Sequence, residues 1–278
     1  MNILVITLGD DPRFRVLASE LERLGLRYEQ IAAVDGRVAG YADTINPCVT
    51  KASRATYGVP LTATEHACAL SHKLAQQRAL ELGSDWTCIL EDDAVLAPEF
   101  PRVLQAIENF EVTEPTIVSL FSPWRALGRG LPRSLSRGRM HNSFALQRLL
   151  APAPFAVAYC VNRQALNLAA ADTTFAAFRA DWPVWATLTH FEVVWPNPIW
   201  HDDSSSTMKR GDEMMRMDRS LRRWLVMIIG VYLWGQGSFG PRAYLGYLRM
   251  QVAVPLLSRL ARHAPQRNLG FTKLMRGG

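Results

Sequence analysis

Apolar residues fall in short continuous runs separated by stretches where they recur every three or four positions, and the two patterns alternate from the start of the chain. Asn2 to Leu8 is one such run, rich in β-branched residues, and reads as a strand buried on both faces. Phe14, Leu17, Ala18, Leu21 and Leu24 then recur at helical spacing from Arg13 onward, and Gly25 supplies a stop. Tyr28 to Val34 resumes strand character and closes on Asp35-Gly36, a turn pair. Strand, helix, strand in this order predicts a parallel sheet with a right-handed crossover.

A second helix is marked by Thr62-Ala63-Thr64-Glu65, which matches the capping box, and runs from Ala63 to about Leu82 before Gly83. Trp86 to Leu90 is a short apolar strand that stops at Glu91-Asp92-Asp93. Three carboxylates thus stand at the carboxyl end of a central strand, where open α/β sheets place their ligand crevice. A helix near Pro98 to Phe110 and a strand near Thr116 to Phe121 follow. Ser122 to Pro154 then carries Arg125, Arg129, Arg133, Arg137, Arg139 and Arg148 with no acid, which predicts a mobile surface loop. Phe155 to Val161 reads as a strand, Arg163 to Ala171 as a helix and Phe191 to Trp195 as a further strand.

Composition bounds this outline without changing it: 278 residues, 49% hydrophobic and 20% charged, suit one large α/β domain with an appendage and exclude disordered and disulfide-scaffold classes. Charge changes the picture more. Ten of the 31 basic residues lie in 219–278 with no acid among them, so the rest of the chain holds 21 basic against 25 acidic residues despite the net charge of +6. The basic segment predicts an anionic partner. Trp224 to Trp234 is an apolar run about half as long as the ~20 residues of a membrane-spanning helix. With its flanking arginines and the later tyrosines and leucines, residues 209–278 read as a basic amphipathic helical extension that lies on a membrane, in preference to a basic-faced subdomain packed on the core. Cys48, Cys68, Cys88 and Cys160 form no C-x-x-C pair and suggest small buried residues. The N-terminal segment has no basic leader with a cleavage site, so the expected location is cytoplasmic.

The acidic triplet is the sharpest chemical feature. Adjacent carboxylates repel, and a divalent cation offsets that repulsion; oxygen ligands suit Mg²⁺ or Mn²⁺ bound together with phosphate oxygens of a substrate. The plain alternative is a solvated acidic turn. Asp181, in Asp181-Trp182-Pro183-Val184-Trp185, is a candidate general base or else a helix N-cap. His201-Asp202-Asp203 is either a contributor to a metal or diphosphate site or a polar turn. Ser71 and His72 are adjacent on a helix and do not face each other, and no nucleophile elbow is present, so a serine hydrolase is disfavoured.

Leu61-Thr62-x-x-Glu65-x-x-Cys68-x-Leu70-Ser71-His72 followed by Ile89-Leu90-Glu91-Asp92-Asp93-Ala94-Val95-Leu96 resembles glycosyltransferase family 25, the lipopolysaccharide and lipooligosaccharide glycosyltransferases related to collagen galactosyltransferases. Val5-Ile6-Thr7-Leu8 with Arg15, then Ala33-Val34-Asp35-Gly36, and later Ala158-Tyr159, Arg163-x-Ala165 and Asp181-Trp182 resemble further blocks in the same order, over Asn2 to about Met208. Thr64 and Ala67 stand where the family usually has glycines, Phe14 where a second arginine is expected and Gln164 where a glycine is usual.

The resemblance implies a GT-A-like α/β domain over 1–208, with a mostly parallel open sheet flanked by helices, and inverting transfer of a sugar from a UDP-sugar, galactose being the leading guess. The acceptor would be a lipopolysaccharide, lipooligosaccharide or other lipid-linked glycan at the inner face of the cytoplasmic membrane. It further implies a donor pocket of Thr7, Leu8, Arg15, Asp35, Gly36, Glu65, Ser71, His72 and Asp92. Mn²⁺ or Mg²⁺ would sit on Glu91 and Asp93 with His201, and Asp181 would serve as base. Two other readings remain at this stage. A catalytically silent family member that binds glycans or partners is opposed by the retained carboxylates. A nucleic-acid-binding protein is opposed by the split of basic charge between a loop and a membrane-like tail.

Overall fold

The computed structural model describes residues 1–9, 11–57, 59–121, 140–141, 144–149, 155–172, 180 and 183–201. In chain order the elements are β1 (Asn2–Thr7), α1 (Pro12–Arg23), β2 (Glu29–Ala32), α2 (Pro47–Tyr57), α3 (Ala63–Leu82), β3 (Trp86–Glu91), β4 (Ala94–Leu96), α4 (Phe100–Glu108), β5 (Thr116–Ser119), β6 (Met140–His141), β7 (Phe144–Leu149), β8 (Ala158–Asn162), α5 (Arg163–Ala171), β9 (His190–Trp195) and β10 (Ile199–His201). Eight strands form one sheet in the order β2-β1-β3-β8-β5-β9-β7-β6. Only β8 and β7 run against the other six, so the sheet is mixed but mostly parallel in direction. This is the expected α/β class with flanking helices.

The continuous apolar runs are explained by burial on both sides. Ile3 and Val5 of β1 and Cys88 and Leu90 of β3 face Leu17 and Leu21 of α1 and Val103, Leu104 and Ile107 of α4. Leu4 and Ile6 of β1 and Ile89 of β3 face the opposite layer, where Ala75 and Ala79 of α3 and Ala165, Leu166 and Ala169 of α5 pack. Helices therefore cover the sheet on both faces, and the loops at the carboxyl ends of β1 and β3 are left to form the site.

The capping box forms as the sequence predicts. The Thr62 hydroxyl accepts from the Glu65 N–H, the Glu65 carboxylate accepts from the Thr62 N–H, and Gly83 closes the helix in the left-handed conformation at φ 72°. This long helix is unusual in what it buries: His66, Ser71, His72, Lys73 and Gln76 are all buried along with its alanines. The Lys73 ammonium donates to the carbonyls of Ala169 and Asp172 at the end of α5, placing a positive charge at the carbonyl end of that helix.

Three features depart from the sequence expectation. Part of the stretch expected as one surface loop is sheet: β7 pairs with β9, Leu146 opposite Val194, and Phe144 and Leu146 pack on the core while Gln147 and Arg148 are exposed. A strand towards a sheet edge needs only one apolar face, and its arginine and glutamine disguised it. Helix α2 was not expected, nor was the small antiparallel ribbon of β4 and β10. Residues 122–139, Asp181, Trp182, the run Trp224 to Trp234 and the whole of 209–278 lie outside the described residues. Among the described residues no helix is long and apolar enough to cross a membrane.

Candidate active site

Parallel pairing places Ile6 of β1 beside Glu91 of β3, so the chain leaves both strands at the same edge of the sheet. A cleft opens there. Its walls are Thr7 and Leu8 after β1, the Ala33-Val34-Asp35-Gly36 turn after β2, Thr64, Cys68, Ser71 and His72 on α3, and Glu91, Asp92 and Asp93 after β3. Arg13 and Arg37 complete the lining.

The turn after β2 is fixed to α3 by two devices. The buried Ser71 hydroxyl accepts from the Val34 N–H at 2.9 Å and donates to the Ala67 carbonyl at 2.8 Å. Gly36 passes so close to the start of α3 that a Cβ there would lie 2.4 Å from the Ala63 carbonyl oxygen. Asp35 accepts from the backbone N–H of Arg37 and from its guanidinium, which holds the Asp35 carboxyl down to about 2.

The acidic triplet divides its contacts. His72 Nε2 lies 3.0 Å from Glu91 Oε1, and His201 Nε2 lies 2.9 Å from Asp93 Oδ2. Pairing of β10 with β4 puts His201 opposite Ala94 and so beside Asp93. The Arg13 guanidinium stands 3.5 Å from Asp92 and 3.8 Å from Asp93, and is anchored by Asp11, the N-cap of α1. Burial pushes the Asp92 and Asp93 carboxyls up; Arg13 opposes this at both, and at Asp93 the His201 hydrogen bond opposes it while the charge of Glu91 adds to it. Burial also works against ionising Glu91, yet the hydrogen bond from His72 and the nearby cationic groups hold that carboxyl below its ordinary value. Asp93 Oδ1 is buried with no hydrogen-bond partner among the described residues. A buried carboxylate oxygen of this kind, on a residue paired with the His201 imidazole, suits a divalent cation.

Behind the cleft runs a buried hydrogen-bond chain. The Gln76 amide donates to the Tyr159 hydroxyl at 3.2 Å, and that hydroxyl lies 3.2 Å from His72 Nδ1. An ionised Glu91 only accepts, so His72 carries its proton on Nε2 and Nδ1 accepts from Tyr159. On the far side of Asp93 the rings of Phe121, Phe155 and His201 lie with centroids 6.0 to 6.4 Å apart. Phe155 holds φ at 75°, a strained backbone for a bulky residue that the ring cluster fixes in place.

The residues singled out in the sequence are thus mostly brought together. Thr7, Leu8, Asp35, Gly36, Ser71, His72, Glu91, Asp92 and Asp93 line one cleft, and His201 joins through Asp93. Two do not join them. Glu65 is turned to the cap of α3, and Arg15 lies exposed on α1 away from the lining. Asp181 lies outside the described residues. Sequence reasoning missed Arg13, whose signal was its position two residues after the N-cap Asp11 of a helix that starts at the cleft. It also gave no site role to Tyr159, which stood only within the Ala158-Tyr159 block, because its partner His72 is 87 residues away.

Fold and site together define an α/β protein with an acidic ligand cleft, bordered by arginines, at the carboxyl edge of its sheet. Residues 1–122 match the model of Glycosyltransferase family 25 (LPS biosynthesis protein). Every residue lining the cleft falls inside the matched stretch. The matched family is one of lipopolysaccharide-biosynthesis glycosyltransferases, and the match supports glycosyltransferase activity, a reaction between a nucleotide-sugar donor and a glycan acceptor. No curated protein matches the chain.

Proposed function

We propose that the cleft binds a UDP-sugar, with galactose the leading candidate, and that the sugar is transferred with inversion to a lipid-linked glycan of the lipopolysaccharide or lipooligosaccharide type. The observation that carries this reading is the orphaned, buried Asp93 Oδ1 among Glu91, Asp92 and His201. A Mn²⁺ or Mg²⁺ ion bound by Glu91, Asp93 and His201 would supply charge neutralisation for the departing diphosphate. Arg13 offers a fixed guanidinium at the same mouth, suited to phosphate oxygens by its paired N–H donors. The turn at Asp35-Gly36, pinned by Ser71, gives the donor a rigid backbone wall. Leu8, 39% exposed, offers an apolar surface beside it.

Inversion requires a base on the acceptor hydroxyl, and Asp181 is the proposed one. Replacing Asp181 with Asn is expected to lower turnover by roughly 10²-fold to 10⁴-fold while leaving donor affinity unchanged in equilibrium titration. Full turnover in that variant would remove Asp181 from the mechanism. The basic 209–278 segment is proposed to hold the enzyme on an anionic membrane surface where a lipid-linked acceptor resides.

A further inference from the structure

Cys68 lines the cleft, yet sugar transfer has no use for a thiol there. It lies on α3 one turn before His72, so the two side chains share a face of the helix, and that face meets the end of β3 at Glu91. The Cys68 sulfur, an imidazole nitrogen of His72 and a carboxylate oxygen of Glu91 all lie within 4.8 Å of one another. Two ligands four residues apart on a helix, with a third from a neighbouring element, is a recurrent way to build a three-ligand metal seat.

We propose that Cys68, His72 and Glu91 form a seat for a thiophilic divalent cation, with Zn²⁺ its natural occupant and the fourth coordination position facing the cleft. The donor set decides the metal: a thiolate and an imidazole favour zinc, whereas Mg²⁺ and Mn²⁺ are served better by oxygen ligands such as the Asp93 carboxylate. The surroundings are also suited. A metal-bound His72 gives up its Nε2 proton and carries it on Nδ1, where it must be accepted. Tyr159 is the neighbour of Nδ1, and a hydroxyl serves either tautomer, donating to a bare Nδ1 or accepting from Nδ1–H. Gln76 holds that hydroxyl in place, and the His72 ring is 3% exposed, so the imidazole is preset for binding. Glu91 is common to this seat and to the proposed oxygen-ligand site, so zinc here displaces the cation used in transfer. The seat itself does not depend on the identity of the donor.

The test uses the full chain without nucleotide, titrated with Co²⁺ as a spectroscopic stand-in for zinc. The expected result is a near-ultraviolet thiolate-to-cobalt charge-transfer band that saturates at one equivalent and is abolished by added Zn²⁺. It should be lost in Cys68→Ser and retained in Asp93→Asn. Tyr159→Phe should weaken cobalt binding by about 10-fold to 100-fold. On the unsubstituted protein, Zn²⁺ should protect Cys68 from alkylation, read by peptide mass, so the result does not hang on how the variants fold. Cobalt binding without the thiolate band, a band that survives in Cys68→Ser, or alkylation of Cys68 unaffected by zinc would each overturn the proposal. Failure of the UDP-sugar reading looks different: the thiolate band would stand while Mn²⁺-dependent nucleotide binding was missing.

Discussion

The clearest single-residue constraint is Gly36. Its neighbour Asp35 is satisfied by Arg37 and its own backbone runs against α3, so the turn after β2 is pressed into the wall of the cleft with no room for a side chain. Gly36→Ala must push the turn away from Ala63, and overpacking of this kind costs roughly 1 to 3 kcal/mol. The expected outcome in urea denaturation is a lower unfolding midpoint, accompanied by weaker nucleotide binding because the donor wall has moved. An unchanged midpoint would show that the turn yields easily and does not frame the site. The same residue illustrates what a sequence can carry, since the Asp-Gly pair marks a turn but nothing local says that its glycine is needed for helix contact rather than for turn geometry.

At the scale of elements, the chain was most readable where local chemistry and tertiary packing agree. The Thr62 and Glu65 box placed α3 at Ala63–Leu82 with its Gly83 stop, and the apolar runs placed β1 and β3 with the carboxylates at the sheet edge. Elements defined by distant partners were not readable. The three-residue β4 exists because β10 pairs with it, and α2 has too few apolar positions to show a face. Lys73 is the sharpest case: a lysine in a helix normally signals a solvated face, yet this one is buried against the end of α5. Burial pulls its ammonium below the ordinary lysine value, with the Asp172 charge opposing. Lys73→Met fills similar space but leaves the Ala169 and Asp172 carbonyls without this charged donor. The unfolding free energy should fall by about 1.5 to 3 kcal/mol, measured by chemical denaturation. A variant as stable as the parent would mean that water satisfies those carbonyls at no cost.

For the molecule as a whole, charge is separated between an acidic-leaning catalytic portion and a basic, acid-free 219–278. That separation gives the membrane proposal a direct test: deletion after Ser220 should abolish co-sedimentation with anionic liposomes, and added salt should do the same to the full chain. Co-sedimentation unaffected by the deletion would place any membrane contact elsewhere. Sheet, helices and ribbon converge on one cleft lined by three carboxylates, where the proposed nucleotide-sugar donor would sit. The most direct test of that central claim is calorimetric titration of UDP into the protein with Mn²⁺, repeated with chelator and with Asp93→Asn. The account predicts saturable binding with Mn²⁺ that is lost in both of the other conditions, while the circular dichroism of the variant matches the parent. Binding of UDP that is indifferent to metal and to Asp93, or no binding of UDP at all, would contradict it.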